Sequence, residues 1–344
     1  PSTTGLAVVM PLVGRHDEWD RLRALWQNAS TGGPQVALVQ GEAGIGKTRL
    51  AEELGRWVRQ QGGAAYTAHC YQAEGALAYA PVVQWLRAHA LPPLEPVWQR
   101  ELSRLLPELL STPGLEPPGP MTESWQRQRF FQALSRAFVA ERGPLLLLLD
   151  DVQWSDPETL EWLHYLLHHD PRAPLLVLCT LRLEELDDEH PLAAWLRAVR
   201  REGRLAELTL GPLTEEETHF LAAQVAQQEL DPDLAACIHD ETEGNPLFVV
   251  ELARAGRLVA GREPECPPQG LPPAIQATIE DRLAQLSPTA RELAGLAATI
   301  GRAFSFAVLA GASDLDPDAL LRALDELWQR RVVREQSGDA YDFT

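Results

Sequence analysis

Gly41, Glu42, Ala43, Gly44, Ile45, Gly46, Lys47 and Thr48 spell G-x-x-x-x-G-K-T between a short apolar stretch, Val36–Gln40, and a helical pattern running to about Gln61. A strand, a glycine-rich turn and a helix in that order make a cradle for phosphate. The glycines let successive N–H groups curl around an oxyanion, and the helix N-terminus adds positive potential there. In such a loop the Lys47 ammonium bridges β- and γ-phosphate oxygens and the Thr48 hydroxyl ligates Mg2+. We assign the whole run from Gly41 to Arg49 to nucleotide binding. Lys47 is also the single lysine among 30 basic residues, the others all being Arg. A compact ammonium therefore stands at the one place where a point charge on phosphate is wanted.

Outward from this loop, strand-like and helical segments alternate from Val36 to Leu210. Ala64–Cys70, Leu145–Leu149, Leu175–Thr180 and Ala206–Leu210 are the further strand candidates, and the alternation predicts a parallel α/β sheet. Leu145–Leu149 is apolar at every position, as a central strand covered on both faces should be. It ends in Asp150 and Asp151. Acids at that strand end place one carboxylate, Asp150, beside the metal and a second, Asp151, as general base near the attacking water. Thr180 and Arg182 end the next strand, where a polar or charged group can report whether the γ-phosphate is present. A proline-rich, partly helical insertion from Leu91 to Pro120 interrupts the alternation.

Composition narrows the possible functions. A hydrophobic share of 45% and a charged share of 23% are those of globular domains, and 344 residues suffice for two or three of them. A formal charge of −19 repels phosphate backbones and argues against nucleic-acid binding. The four cysteines, Cys70, Cys179, Cys237 and Cys266, are widely spaced, which reads as reduced thiols rather than a zinc site or a disulfide framework. No apolar run is long enough to span a bilayer and no signal peptide is visible, so the expected compartment is the cytoplasm. A start at Pro1 and a stop at Thr344 inside a strand-like pattern read as a piece cut from a longer protein.

After Gly211 and Pro212 the strands give way to helices. Thr214 is placed to cap a helix with Glu217 at the capping-box position, and a small helical domain follows to about Val259. A Pro/Gly-rich linker, Gly261–Pro273, precedes helices near Ala274–Leu286, Pro288–Ile300 and Asp316–Gln329. Val332–Glu335, a turn at Ser337–Asp339 and Tyr341–Phe343 then form a two-stranded ribbon, the pattern of a winged helix. The predicted organisation is an α/β nucleotide-binding domain over 1–210, a helical domain over 211–262 and a winged-helix domain over 272–344.

Together these segments resemble the STAND class of AAA+-related P-loop NTPases, and more narrowly the ATPase core of MalT-like and LuxR-type bacterial transcriptional activators. Pro11 to Arg15 is similar to the V-G-R box, which implies that Val13, Gly14 and Arg15 contact adenine. Asp150 to Asp156 resembles the acidic strand and its continuation, and Leu178 to Arg182 resembles the first sensor. Leu210 to Leu213 is similar to the G-x-P motif, whose proline, here Pro212, packs on the base. Gly244 to Phe248 resembles a signature of the helical lid. The resemblance implies ATP or ADP with Mg2+ as cofactor, an ADP-held resting state, an ATP-bound active state that self-associates, and slow hydrolysis as a timer. It also implies an aromatic-x-His segment at the end of the winged helix, near Tyr341 and Phe343, with a C-terminal sensor and an effector domain outside this chain.

Two other readings stay open. A replication-initiator-like ATPase would use the winged helix on duplex DNA, against which stand seven Arg and eleven Asp or Glu from Pro272 to Thr344. A metabolic or motor enzyme would show fast turnover as an isolated domain, and no acceptor site for a kinase is visible.

Overall fold

The computed structural model describes residues 12–72, 77–139, 143–186, 190–254, 273–301, 303–313, 315–330, 332–336 and 340–343. Pro11, the linker expected at Gly261–Pro273 apart from its last residue, the turn expected at Ser337–Asp339, and Thr344 lie outside the described residues. The chain divides into two compact units, Pro1–Pro212 and Leu213–Thr344.

The first unit holds α1 (His16–Gly32), β1 (Gln35–Gln40), α2 (Lys47–Gln60), β2 (Ala64–His69), α3 (Ala80–Arg87), α4 (Pro96–Leu102), α5 (Ser124–Val139), β3 (Leu145–Asp150), α6 (Pro157–His169), β4 (Leu175–Leu181), α7 (Pro191–Arg201) and β5 (Leu205–Thr209). The five strands form one parallel sheet in the order β2-β3-β4-β1-β5, the α/β architecture expected from the alternation. Strand residues point alternately to opposite faces, and the sequence uses that period to build two cores. Leu145, Leu147, Leu149, Val177 and Cys179 face Trp85, Phe130, Phe138, Trp162 and Val199 from α3, α5, α6 and α7. Ala37, Val39, Leu146, Leu148, Leu176 and Leu178 face Leu22 and Trp26 of α1 and Leu50, Leu54 and Val58 of α2. Every residue of β3 and of β4 is buried.

The insertion is part of this packing. Leu102 and Leu106 join the first core, and the buried Glu101 is gripped by Arg104 Nε and Arg129 Nε at 2.9 Å each. Removing a buried carboxylate from between two cations leaves them uncompensated. Glu101→Gln is expected to cost about 2 kcal/mol, discounted for the partial exposure of both arginines. The measurement is a urea midpoint at unchanged slope, and an unshifted midpoint would mean that the triad contributes nothing.

The second unit opens with α8 (Glu215–Ala226), α9 (Pro232–Thr242) and α10 (Pro246–Arg254). The capping box is present as read: Thr214 Oγ1 accepts from Glu217 N–H at 3.3 Å, and Glu217 Oε2 accepts from Thr214 N–H at 2.9 Å. There follow α11 (Pro273–Ala284), α12 (Pro288–Ile300), β6 (Ala303–Ser305), α13 (Phe306–Ala312), α14 (Pro317–Gln329), β7 (Val333–Gln336) and β8 (Ala340–Phe343). The strands make an antiparallel sheet in the order β6-β8-β7. The predicted two-stranded ribbon is thus a three-stranded sheet, because β6 is three residues long and too short for a period-2 pattern to show. Leu293, Ala297, Leu309, Leu324 and Leu327 form its core, and Glu326 on α14 accepts from the Ser287 N–H and hydroxyl, both at 2.7 Å, tying α14 to the start of α12.

Cys70 and Cys179 are free and buried. Burial pushes the Cys179 thiol up to about 12 and raises that of Cys70 as well, so neither is a thiolate at neutral pH. Cys237, by contrast, is disulfide-bonded, which corrects the expectation of reduced thiols throughout. Spacing along the chain does not reveal which thiols meet in space. Among the described residues no helix is long and apolar enough to cross a membrane.

Candidate functional site

The strand order decides where the site forms. β4 lies between β1 and β3, so the carboxyl end of the strand carrying Thr180 and Arg182 sits between the phosphate loop and the acid pair. Parallel strands gather all these ends on one edge, where α/β sheets bind ligands.

The loop from Gly41 to Gly46 joins β1 to α2. Gly41, Gly44 and Gly46 have φ of 153°, 80° and 100°, values open to glycine and strained for other residues. At Gly41 space adds to the requirement, since a Cβ would lie 2.8 Å from the Leu210 carbonyl oxygen. Ile45 is buried in the second core and anchors the loop's far side. Lys47 is only 6% exposed, and its Nζ donates to the carbonyls of Gly41 at 2.8 Å and Glu42 at 2.7 Å. The ammonium is therefore held inside the loop's curl. Ala43 and Glu42 are partly exposed along that curl, and Arg49 pairs with Glu53 at 3.7 Å on the first turns of α2.

Opposite the loop, Thr48 Oγ1 lies 2.9 and 3.1 Å from the two carboxylate oxygens of Asp150. The residues predicted as metal ligands are thus brought together, and their hard oxygen donors suit Mg2+. Asp150 also accepts from the Thr180 hydroxyl at 2.6 Å, while Thr180 Oγ1 accepts from the Asp151 N–H at 2.8 Å. One buried threonine therefore fixes both acids. His69 Nδ1 is 3.2 Å from Asp150 Oδ2, and its backbone is clamped by Gln84, which donates to the His69 carbonyl at 2.8 Å and accepts its N–H at 2.9 Å. His69 was missed by sequence reasoning, since a histidine at a strand end gives no signal until β2 is known to pair with β3.

Asp151 follows with φ 54° and ψ 53°. A non-glycine residue in that region carries strain of the kind that collects at functional sites. Its carboxylate is held by Arg182 through two parallel bonds, Nε to Oδ1 and Nη2 to Oδ2, both 3.1 Å. Arg182 in turn lies over Trp154 with 4.8 Å between guanidinium carbon and ring centroid, and Gln153 donates to Asp151 Oδ1 at 3.1 Å. Asp156, further along, caps α6 by accepting from the Thr159 N–H and also accepts from the Tyr79 N–H, both at 2.8 Å.

The remaining candidates line the approach to α1. Gly14 and Arg15 both have φ of 65°, and Gly14 is buried while Val13 is half-buried. Arg15 Nη2 donates to the Ile45 carbonyl at 3.3 Å and to the Gly211 carbonyl at 2.6 Å. The guanidinium thus ties the phosphate loop to the segment carrying Pro212, which is itself exposed.

Residues 11–178 match the family model of the AAA ATPase domain. An uncharacterized protein of Rhizobium meliloti (strain 1021) is 28% identical over 367 residues, an alignment covering 97% of this chain and 34% of that protein. The chain therefore spans about a third of the length of that relative. Among solved structures, the chain is similar to Cdc6p of Pyrobaculum aerophilum at 14% identity, with 98% of this chain and 92% of that one covered and a TM-score of 0.48. It is also similar to the Aeropyrum pernix ORC1 protein in complex with DNA (17% identity, 98% and 91% covered, TM-score 0.45). A RuvB variant of Thermotoga maritima is similar at 16% identity, with 96% and 92% covered and a TM-score of 0.45.

Proposed function

We propose that the AAA ATPase domain of residues 11–178 works as an ATP/ADP-controlled switch of the STAND type, in the regulatory core of a bacterial transcriptional activator. The reading rests on the Arg182–Asp151 pair. A carboxylate with both oxygens engaged by two parallel guanidinium bonds is not available to orient water or take its proton. Turnover requires Arg182 to release it, and the γ-phosphate is the anion able to compete for the guanidinium. ATP would then free the base that ADP leaves locked.

Gly41 to Arg49 would hold the phosphates, with Val13, Gly14, Arg15 and Pro212 at the base. Thr48 and Asp150 would hold Mg2+, which when bound neutralises charge between the β- and γ-phosphates. Lys47 would leave the Gly41 and Glu42 carbonyls for phosphate oxygens. The helix–strand–helix–helix–strand–strand order from α12 to β8 supports a winged helix, and α8 to α10 supports a helical lid. An effector domain, a C-terminal sensor and self-association in ATP complete the proposal.

Sedimentation velocity of the chain with ATP, a non-hydrolysable analogue or ADP tests it. Larger species with the first two only, and turnover slower than about 1 s−1, are expected. Fast turnover by a monomer would favour the motor or metabolic reading. A sequence-specific duplex complex, seen by fluorescence anisotropy at physiological salt, would favour the initiator-like one.

A further inference from the structure

At the opposite end of α6 from Asp156, roughly 18 Å along the helix axis, three side chains converge that the nucleotide site does not use. His164 and His168 stand one turn apart on α6, so both imidazoles leave the same face. Their ring centroids are 4.6 Å apart. His168 Nε2 is 3.1 Å from Oε2 of Glu202, the residue that closes α7. One potential ligand atom from each of the three lies within 4.8 Å of the others.

The orientation of His168 is set from behind. Its Nδ1 is 2.7 Å from the His164 carbonyl oxygen. A carbonyl only accepts, so Nδ1 carries a proton and Nε2 faces Glu202. A backbone carbonyl behind the ring is the usual outer partner of a metal-bound histidine. Two donors at tetrahedral zinc distances are about 3.3 Å apart, close to the separation seen between Nε2 and Oε2. The frame is rigid on both sides. Trp162, Leu163, Leu166 and Leu167 bury the other face of α6, Arg204 donates to the Leu167 carbonyl, and Gly203 at φ 68° ends α7 directly after Glu202.

We propose that His164, His168 and Glu202 bind one borderline divalent transition metal of the Zn2+ class, which clips the end of α6 to the end of α7. Two imidazole donors in three disfavour Mg2+ and Ca2+, which take oxygen ligands. The residue after His164 is Tyr165, so the glutamate base of a hydrolytic H-E-x-x-H helix is missing. The site is structural, with water completing the coordination.

The test is isothermal titration of the chain with Zn2+ in a buffer already holding excess Mg2+. One saturable Zn2+ per chain is expected. His168→Ala and Glu202→Gln should each weaken it by at least about tenfold, with circular dichroism unchanged because all three side chains reach the surface. Co2+ used as a coloured substitute should give a visible band that His164→Ala removes. Equal Zn2+ affinity in the wild type and all three variants would overturn the proposal. So would the lack of any saturable binding, which would leave a proton-bridged His168–Glu202 contact and nothing more.

Discussion

Lys47→Ala is expected to abolish measurable nucleotide binding while the chain stays folded. The effect is large because one group carries several interactions. Charge-assisted hydrogen bonds to phosphate contribute about 1.5–3 kcal/mol each, and an ammonium bridging two phosphates makes at least two of them. A loss of about 3 kcal/mol is roughly 150-fold in affinity, and more follows if both contacts are strong. Folding should survive, since Lys47 belongs to neither hydrophobic core and its Nζ donates to the loop carbonyls of Gly41 and Glu42. Lys47→Arg keeps the charge but replaces a compact head by a planar fork, and should bind between the wild type and Lys47→Ala. Equilibrium binding of a fluorescent ADP analogue, with far-ultraviolet circular dichroism as the folding control, decides the matter. Undiminished affinity in a folded Lys47→Ala chain would remove the phosphate loop from the site.

The sheet and the loop were legible because each rests on a local rule. Period-2 and all-apolar runs marked the five strands of the first unit, with one end displaced by a residue in four of them and both ends in the fifth. The G-x-x-x-x-G-K-T spacing dictates a backbone that glycine alone takes easily, and the φ values of Gly41, Gly44 and Gly46 follow. What escaped the sequence depends on strand order and on partners far away in the chain. Nothing local shows that Thr180 hydrogen-bonds both Asp150 and Asp151, or that His69 from an edge strand reaches Asp150. Arg15 could be singled out only through a resemblance, whereas its bonds to the Ile45 and Gly211 carbonyls depend on two loops 30 and 196 residues away. The disulfide at Cys237 and the buried triad at Glu101 were hidden for the same reason.

Asp151→Asn and Asp150→Asn should separate two functions that adjoin in sequence. On the proposed reading the carboxylate of Asp151 acts as the base, and losing a positioned base costs about 100- to 10,000-fold in rate. ATP binding should be retained, because the phosphate loop and Asp150 remain in place. An amide at 151 also removes one of the carboxylates that hold Arg182, another being Glu185, so the guanidinium is held less firmly and can meet the γ-phosphate while no base remains to use water. Asp151→Asn should therefore accumulate in the ATP-bound, self-associated state. Asp150 differs in its neighbours: Thr48, Thr180 and His69 all converge on its two oxygens. Replacing one oxygen by an amide nitrogen weakens the hard-ligand set and sets a donor against the Thr180 or Thr48 hydroxyl. The expected result is a higher Mg2+ requirement for ATP binding, with hydrolysis failing as a consequence. Titrating Mg2+ at fixed ATP, alongside single-turnover phosphate release, distinguishes the two. If both variants shift the Mg2+ dependence equally and lose the same rate, Asp150 and Asp151 act as one unit, and Arg182 then cannot control hydrolysis by holding Asp151 alone.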